Sequence, residues 1–202
     1  MKRIHRIPIV LSILLLLSAY GVSALSGCGP GEDEPVLKPG GLQAGDKAYD
    51  FSLMSSSGQL VKQSQISPNW YLVLVLYRGH WCSACQEQLA ELKTDFAKFT
   101  ALHTTIAAIS VDSLEDSADL NRQWNFPFPL LSDTRLKVID AYGARHVGGH
   151  GIHDIARPTV IIINPRQIVR FKYIGQNAAD RPRNNEILFA VQQIQKQDGF
   201  KP

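Results

Sequence analysis

The sequence predicts an α/β protein, a three-layer α/β/α sandwich around a central mixed sheet. Three observations point there. Trp70–Tyr77 (WYLVLVLY) is an unbroken apolar run, the pattern of a strand covered on both faces. Apolar residues at helical spacing follow it, and then a second apolar run, Thr104–Val111 (TTIAAISV), in the strand–helix–strand order of a parallel sheet. Towards the C-terminus, two short strands joined at Asn164-Pro165-Arg166-Gln167 predict a hairpin that makes the sheet mixed.

Taken in order, Phe51–Val61 predicts an early hairpin centred on Gly58. After the first buried strand, Ser83–Thr100 carries Cys85, Leu89, Leu92, Phe96 and Phe99 on one face and predicts a single amphipathic helix. Leu114–Trp124 predicts a helix, Phe128–Leu131 a short extended piece, and Thr134–Tyr142 a short helix stopped by Gly143. Arg145–Asp154, rich in Gly and His, is expected to be a loop with solvent-exposed histidines. Thr159–Ile163 and Ile168–Tyr173 are the hairpin strands, and Asn185–Gln195 closes the chain as a helix.

The 202 residues make one domain with chain to spare. The spare chain is N-terminal. Met1–Arg6 is basic, Ile9–Tyr20 is apolar but too short for a comfortable membrane span, and small residues lead to Leu25-Ser26-Gly27-Cys28. That is the pattern of a secretory signal (residues 1–27) ending at a lipobox, in which Cys28 carries a lipid. Residues 28–41, rich in Gly, Pro and acid, read as a tether, and residues 42–202 as the folded domain. The protein is thus expected to be exported and lipid-anchored to the cell envelope membrane, facing the periplasm or the cell surface. Net charge is +3, but Lys2, Arg3 and Arg6 lie in the leader, which has no acid. The remainder is formally neutral, so no nucleic-acid partner is expected.

With Cys28 acylated, Cys82 and Cys85 remain as a pair. They sit in Trp81-Cys82-Ser83-Ala84-Cys85, where the buried strand gives way to the helix. Unpaired backbone N–H groups and the positive end of the helix dipole favour a thiolate there. One helical turn separates the two residues, so a disulfide can open and close without unfolding the helix. Cys82 is expected to be the exposed nucleophile and Cys85 the buried resolving thiol. Alternatives remain: a structural disulfide in a non-enzymatic lipoprotein, or a Cys/His metal carrier using Cys82, Cys85 and the loop residues His146, His150 and His153.

Further pieces then carry a resemblance. Gly45-Asp46-Lys47-Ala48-Tyr49-Asp50-Phe51, Tyr77-Arg78-Gly79-His80-Trp81-Cys82, Ser110-Val111-Asp112-Ser113, Phe128-Pro129-Leu130-Leu131-Ser132-Asp133, Ala141-Tyr142-Gly143 and Ala156-Arg157-Pro158-Thr159 occur in one order along the chain. Together they resemble the peroxiredoxin-like branch of the alkyl hydroperoxide reductase/thiol-specific antioxidant (AhpC/TSA) family. The resemblance implies a thioredoxin-like fold. It also implies that Cys82 attacks peroxide, with Trp81 adjoining it and Arg157 or Arg78 beside it to steady the developing anion. In such a sheet Pro158 would abut the cysteines, a cis peptide is expected there, and its missing N–H would leave an edge for a substrate backbone. Two positions depart from the family. Val75 stands where peroxiredoxins carry Pro, and Gly79 where they carry Thr or Ser, so the peroxide-orienting hydroxyl is absent. The CxxC with Pro158-Thr159 equally resembles membrane-tethered thiol-disulfide oxidoreductases of the TlpA/ResA kind. The expectation is a membrane-anchored, peroxiredoxin-like thiol oxidoreductase that reduces peroxides through a Cys82/Cys85 dithiol–disulfide cycle, with exchange of protein disulfides as the alternative. A thioredoxin-like or membrane-embedded thiol would reduce it, and no cofactor or resident metal is called for.

Overall fold

The computed structural model describes residues 38–200; the leader, Cys28 and the first part of the tether lie outside the described residues. From the N-terminal side the elements are β1 (Ser52–Ser55), β2 (Leu60–Lys62), α1 (Gln63–Ile66), β3 (Tyr71–Leu76), α2 (Ser83–Thr94) and α3 (Phe96–Ala101). Then come β4 (Thr104–Ser110), α4 (Leu114–Trp124), β5 (Leu130–Ser132), α5 (Lys137–Ala141), β6 (Arg145–His150) and β7 (His153–Ala156). β8 (Thr159–Ile163), β9 (Val169–Ile174) and α6 (Asn184–Gln197) complete the chain. Seven strands form a mixed sheet in the order β2-β1-β5-β4-β3-β8-β9, and β6 pairs with β7 apart from it.

β3 is the axis of the sheet. It runs parallel to β4, with Leu76 opposite Ile109, and antiparallel to β8, with Leu76 opposite Thr159. Its side chains alternate between two cores. Tyr71, Val73 and Val75, with Tyr77 beyond the strand, pack with Leu89 of α2, Phe99 of α3, Leu120 of α4 and Ile187 and Val191 of α6. Leu72, Leu74 and Leu76 pack on the other side with Val138 and Ile139 of α5 and with Leu42 and Phe51. Both faces are covered, which is why the run has no polar residue to alternate with. Burying each such side chain contributes about 1.5–3 kcal/mol, so the turn that follows β3 starts from a fixed base.

The last described residues before the domain are themselves packed. Gly143 ends α5 with φ +68°, and a Cβ there would stand 2.4 Å from the Gly40 carbonyl oxygen. The Leu42 N–H donates to the Ala141 carbonyl at 2.8 Å, and Lys172 Nζ donates to the Gly40 carbonyl at 2.8 Å.

Several elements differ from expectation. The helix expected over 83–100 breaks at Asp95 into α2 and α3. The Asp95 carboxylate accepts from Asn184 of α6 at 3.0 Å, a tertiary contact invisible to periodicity. The helix expected over 134–142 starts only at Lys137, because Leu136 is left-handed (φ 60°) and the Asp133 carboxylate takes the N–H groups of Val138 and Ile139, each at 2.9 Å. The loop expected at 145–154 is the β6–β7 hairpin. Arg145 ties it by donating to both Asp140 and Asp154, and the Asp154 carboxylate also accepts from the Gly148 N–H at 2.9 Å.

Candidate active site

The site grows from the end of β3. Tyr77–Trp81 turn the chain from the sheet into α2, and Cys82 is the residue that caps it. The cap works through the backbone, since the Cys82 carbonyl accepts the N–H groups of Cys85 (2.9 Å) and Gln86 (3.0 Å). Cys82 and Cys85 are joined as a disulfide across one helical turn, with their Cα atoms 5.2 Å apart. The pair belongs to the core on the α2 side of the sheet.

Cys82 is only 5% exposed, which corrects the expectation of an exposed nucleophile. In the oxidised pair its sulfur turns inward to meet Cys85, which is wholly buried.

The turn is held from beneath by a group that local sequence reasoning missed. Asp112, just past β4, is buried; it accepts the His80 N–H at 2.8 Å, lies 3.0 Å from His80 Nδ1 and accepts the Ser110 hydroxyl at 2.7 Å. Gln86 Nε2 donates to the His80 carbonyl, so the residue is pinned from two elements. Tyr77 lies beside this cluster; burial first, and the Asp112 carboxylate second, hold its phenol far above the ordinary range.

Trp81 is 37% exposed and forms the outer wall. Its ring stacks on His150 of the hairpin at 3.9 Å, and the Arg78 guanidinium lies over it at 5.1 Å. Arg78 also donates to the Gly149 carbonyl at 3.0 Å. The β6–β7 hairpin is thereby fastened to the cysteine turn, and within it His150 pairs across the ladder with His153 while His146 faces Ile155. Among the described residues no three His, Cys, Asp or Glu side chains are grouped to hold a metal ion, so the Cys/His metal-carrier alternative finds no ligand set.

Of the two expected arginines, Arg78 lies at the wall of the turn, over Trp81, and Arg157 bonds toward the hairpin. Arg157 Nε donates to the Arg145 carbonyl at 3.5 Å, and its N–H to the Ala144 carbonyl at 2.7 Å. These bonds hold it to the hairpin. Among the described residues, the arginine with a hydrogen bond to a cysteine sulfur is Arg181, between β9 and α6. Its Nη2 lies 3.8 Å from Cys85 Sγ, and its Nη1 donates to the Ala84 carbonyl (2.9 Å) and Gln88 Oε1 (3.1 Å). Arg181 lies in a polar turn far from the motif, and no local signal marks it.

Pro158 is buried and level with the cysteine turn, since Thr159 pairs with Leu76. No peptide bond among the described residues is cis, and Pro158 is trans. Hydrogen bonds on either side, from the Arg157 N–H to Ala144 and from the Gly175 N–H to the Pro158 carbonyl (2.7 Å), carry the chain straight into β8. β8 is paired by β3 and β9, so it offers no free edge for a substrate backbone.

The family model described as the AhpC/TSA family matches residues 44–172, most of the sheet and all of the cysteine turn. The chain belongs to the AhpC/TSA family. Relatives of this AhpC/TSA protein include a Synechocystis protein provisionally named a peroxiredoxin, 30% identical over 166 residues (76% of this chain, 80% of the relative). The thiol-disulfide oxidoreductase ResA of Halalkalibacterium halodurans is 24% identical over 123 residues (60% and 63%). Among solved structures, the peroxidoxin BcpB of Mycobacterium tuberculosis superposes with a TM-score of 0.68 at 20% identity, covering 76% of this chain and 98% of its own. That likeness establishes the thioredoxin-like fold. As an AhpC/TSA protein, the chain is a peroxiredoxin-like thiol oxidoreductase.

Proposed function

We propose that the protein is a membrane-anchored thiol peroxidase that works through a Cys82/Cys85 dithiol–disulfide cycle. The observation that carries this is the disulfide at the first turn of α2, in an AhpC/TSA chain, at the end of the most buried strand. In the reduced protein the Cys82 thiolate attacks the terminal peroxide oxygen, the O–O bond breaks, and the alkoxide takes a proton to leave as alcohol or water. Cys82 is then a sulfenic acid. The Cys85 thiolate attacks its sulfur, forming the disulfide and releasing hydroxide, which is protonated to water. An external dithiol, thioredoxin-like or embedded in the membrane, restores both thiols. Cys28, lipidated, would hold the domain to the envelope through the tether of residues 28–41. Trp81 and Arg78 wall the turn, Pro158 lies level with it, and Arg157 serves the hairpin.

A second reading, exchange with protein disulfides, is favoured by Gly79. The position that would carry the peroxide-orienting hydroxyl has no side chain, and a Cβ there would stand 2.6 Å from Trp81 Nε1. The likeness to ResA supports it as well. One experiment separates them: rapid mixing of reduced protein with hydrogen peroxide, followed by Trp81 fluorescence. The peroxidase reading expects a rate at least a hundredfold above that of a free thiolate, abolished by Cys82→Ser. A rate equal to that of a free thiolate, with fast turnover of an exported protein disulfide, would establish the second reading instead.

A further inference from the structure

The mechanism above places negative charge on Cys85 twice. In resolution, Cys85 attacks as a thiolate. In reduction, an external thiolate bonds to Cys82, the Cys82–Cys85 bond breaks, and Cys85 departs as a thiolate; a second external thiol then frees Cys82. Cys85 is wholly buried against Leu89 and Val160 in one core, and burial in apolar surroundings raises a thiol's pKa. The helix dipole helps Cys82, at the cap, more than a residue one turn further in. Another charge is needed at Cys85.

Arg181 has the placement to supply it. Its guanidinium is directed at Cys85 Sγ (3.8 Å) and steered there by the Ala84 carbonyl, Gln88 Oε1 and the Ala178 carbonyl. Each of these partners is uncharged, and Arg181 Nε is buried with no partner at all among the described residues. Burial first, and the nearby Arg78 charge second, hold its pKa below the ordinary value, though a guanidinium remains a cation at working pH. Glu87 and Glu91 of α2 act on it from a distance and offset part of the cost of burial, but none of its hydrogen-bond partners carries a charge in the disulfide form. The guanidinium gains an anionic partner when Cys85 becomes a thiolate.

We infer that Arg181 is the electrostatic partner of Cys85, stabilising its thiolate as nucleophile in resolution and as leaving group in reduction. This differs from the expected pairing of Arg157 or Arg78 with Cys82, and it rests on the Cys82/Cys85 cycle proposed above. An opposite charge at this range lowers a pKa by about 1–3 units.

The test is the titration of Cys85 in the full chain carrying Cys82→Ser, read by thiolate absorbance in the far ultraviolet. No peroxide is involved, so the result is independent of which oxidant the protein meets. Adding Arg181→Gln is expected to raise the midpoint by about one unit or more, and Arg181→Lys, which keeps the charge, to recover at least half of that rise. In otherwise unmodified protein, Arg181→Gln is expected to slow conversion of the Cys82 sulfenic acid to the disulfide by about tenfold near neutral pH. A Cys85 midpoint unmoved by Arg181→Gln, in protein that keeps its circular dichroism, overturns the inference. Failure of Cys82 to react with peroxide, with the midpoint still moved, would sink the peroxidase reading and leave the Arg181–Cys85 pairing standing.

Discussion

Gly79 shows what a single residue decides here. A Cβ at this position would come within 2.6 Å of Trp81 Nε1 and 3.0 Å of Asp112 Oδ1. The missing hydroxyl and the packing of Trp81 are therefore two aspects of one arrangement: Trp81 occupies the space a threonine would need. Gly79→Thr is expected to destabilise the protein by on the order of 1–3 kcal/mol through overpacking and to shift Trp81 emission as the ring is displaced. Denaturant unfolding and fluorescence spectra would check this; unchanged stability together with unchanged emission would show that the turn has room. At this scale the cysteines, Trp81 and Arg78 were legible, because they are neighbours in the chain. Asp112 was visible only as part of a family motif, without its grip on His80. Arg181 was not visible at all, since its partner Cys85 lies on another element and the turn carrying it has the composition of any polar turn.

At the scale of elements, legibility followed how local the determinants are. α4 matches its expected range, because Ser113 caps it by accepting the Asp116 N–H and the left-handed Asn125 ends it. The β6–β7 hairpin was hidden by its glycines, which break strand alternation; its pairing is enforced by Arg145 reaching Asp140 and Asp154. α5 depends on Asp133, whose carboxyl replaces the first-turn bonding of a helix that begins late. Burial there outweighs the N–H bonds and pushes the Asp133 pKa up from 3.8 to about 6. The folded state thus holds the proton more tightly than the unfolded chain. The corresponding stability is fully present below the unfolded pKa and is lost as pH rises through about 6, a swing of about 3 kcal/mol. Stability of the wild type relative to Asp133→Asn is accordingly expected to fall between pH 4 and 7, measured by urea unfolding at each pH. A constant difference across that range would mean that Asp133 titrates normally.

For the molecule as a whole, the buried β3 run and the strand–helix–strand order were enough to predict the sheet. The position of β1 and β2 beside β5, across the sheet from β9, depended on pairings between distant segments. No described helix is long and apolar enough to cross a membrane, and the proposed attachment point, Cys28, lies outside the described residues. What unites the scales is a cysteine pair set at the mouth of a rigid sheet, walled by Trp81 and the hairpin, with Arg181 behind it. The most direct measurement of the central claim is the intact mass of reduced protein after one equivalent of hydrogen peroxide, with and without Cys85→Ser. The cycle predicts that wild-type protein loses two hydrogens to the Cys82–Cys85 disulfide, whereas the Cys85→Ser protein gains a single oxygen at Cys82. An unmodified Cys82 in the Cys85→Ser protein, or oxygen found first on Cys85 in protein that retains both thiols, would contradict it.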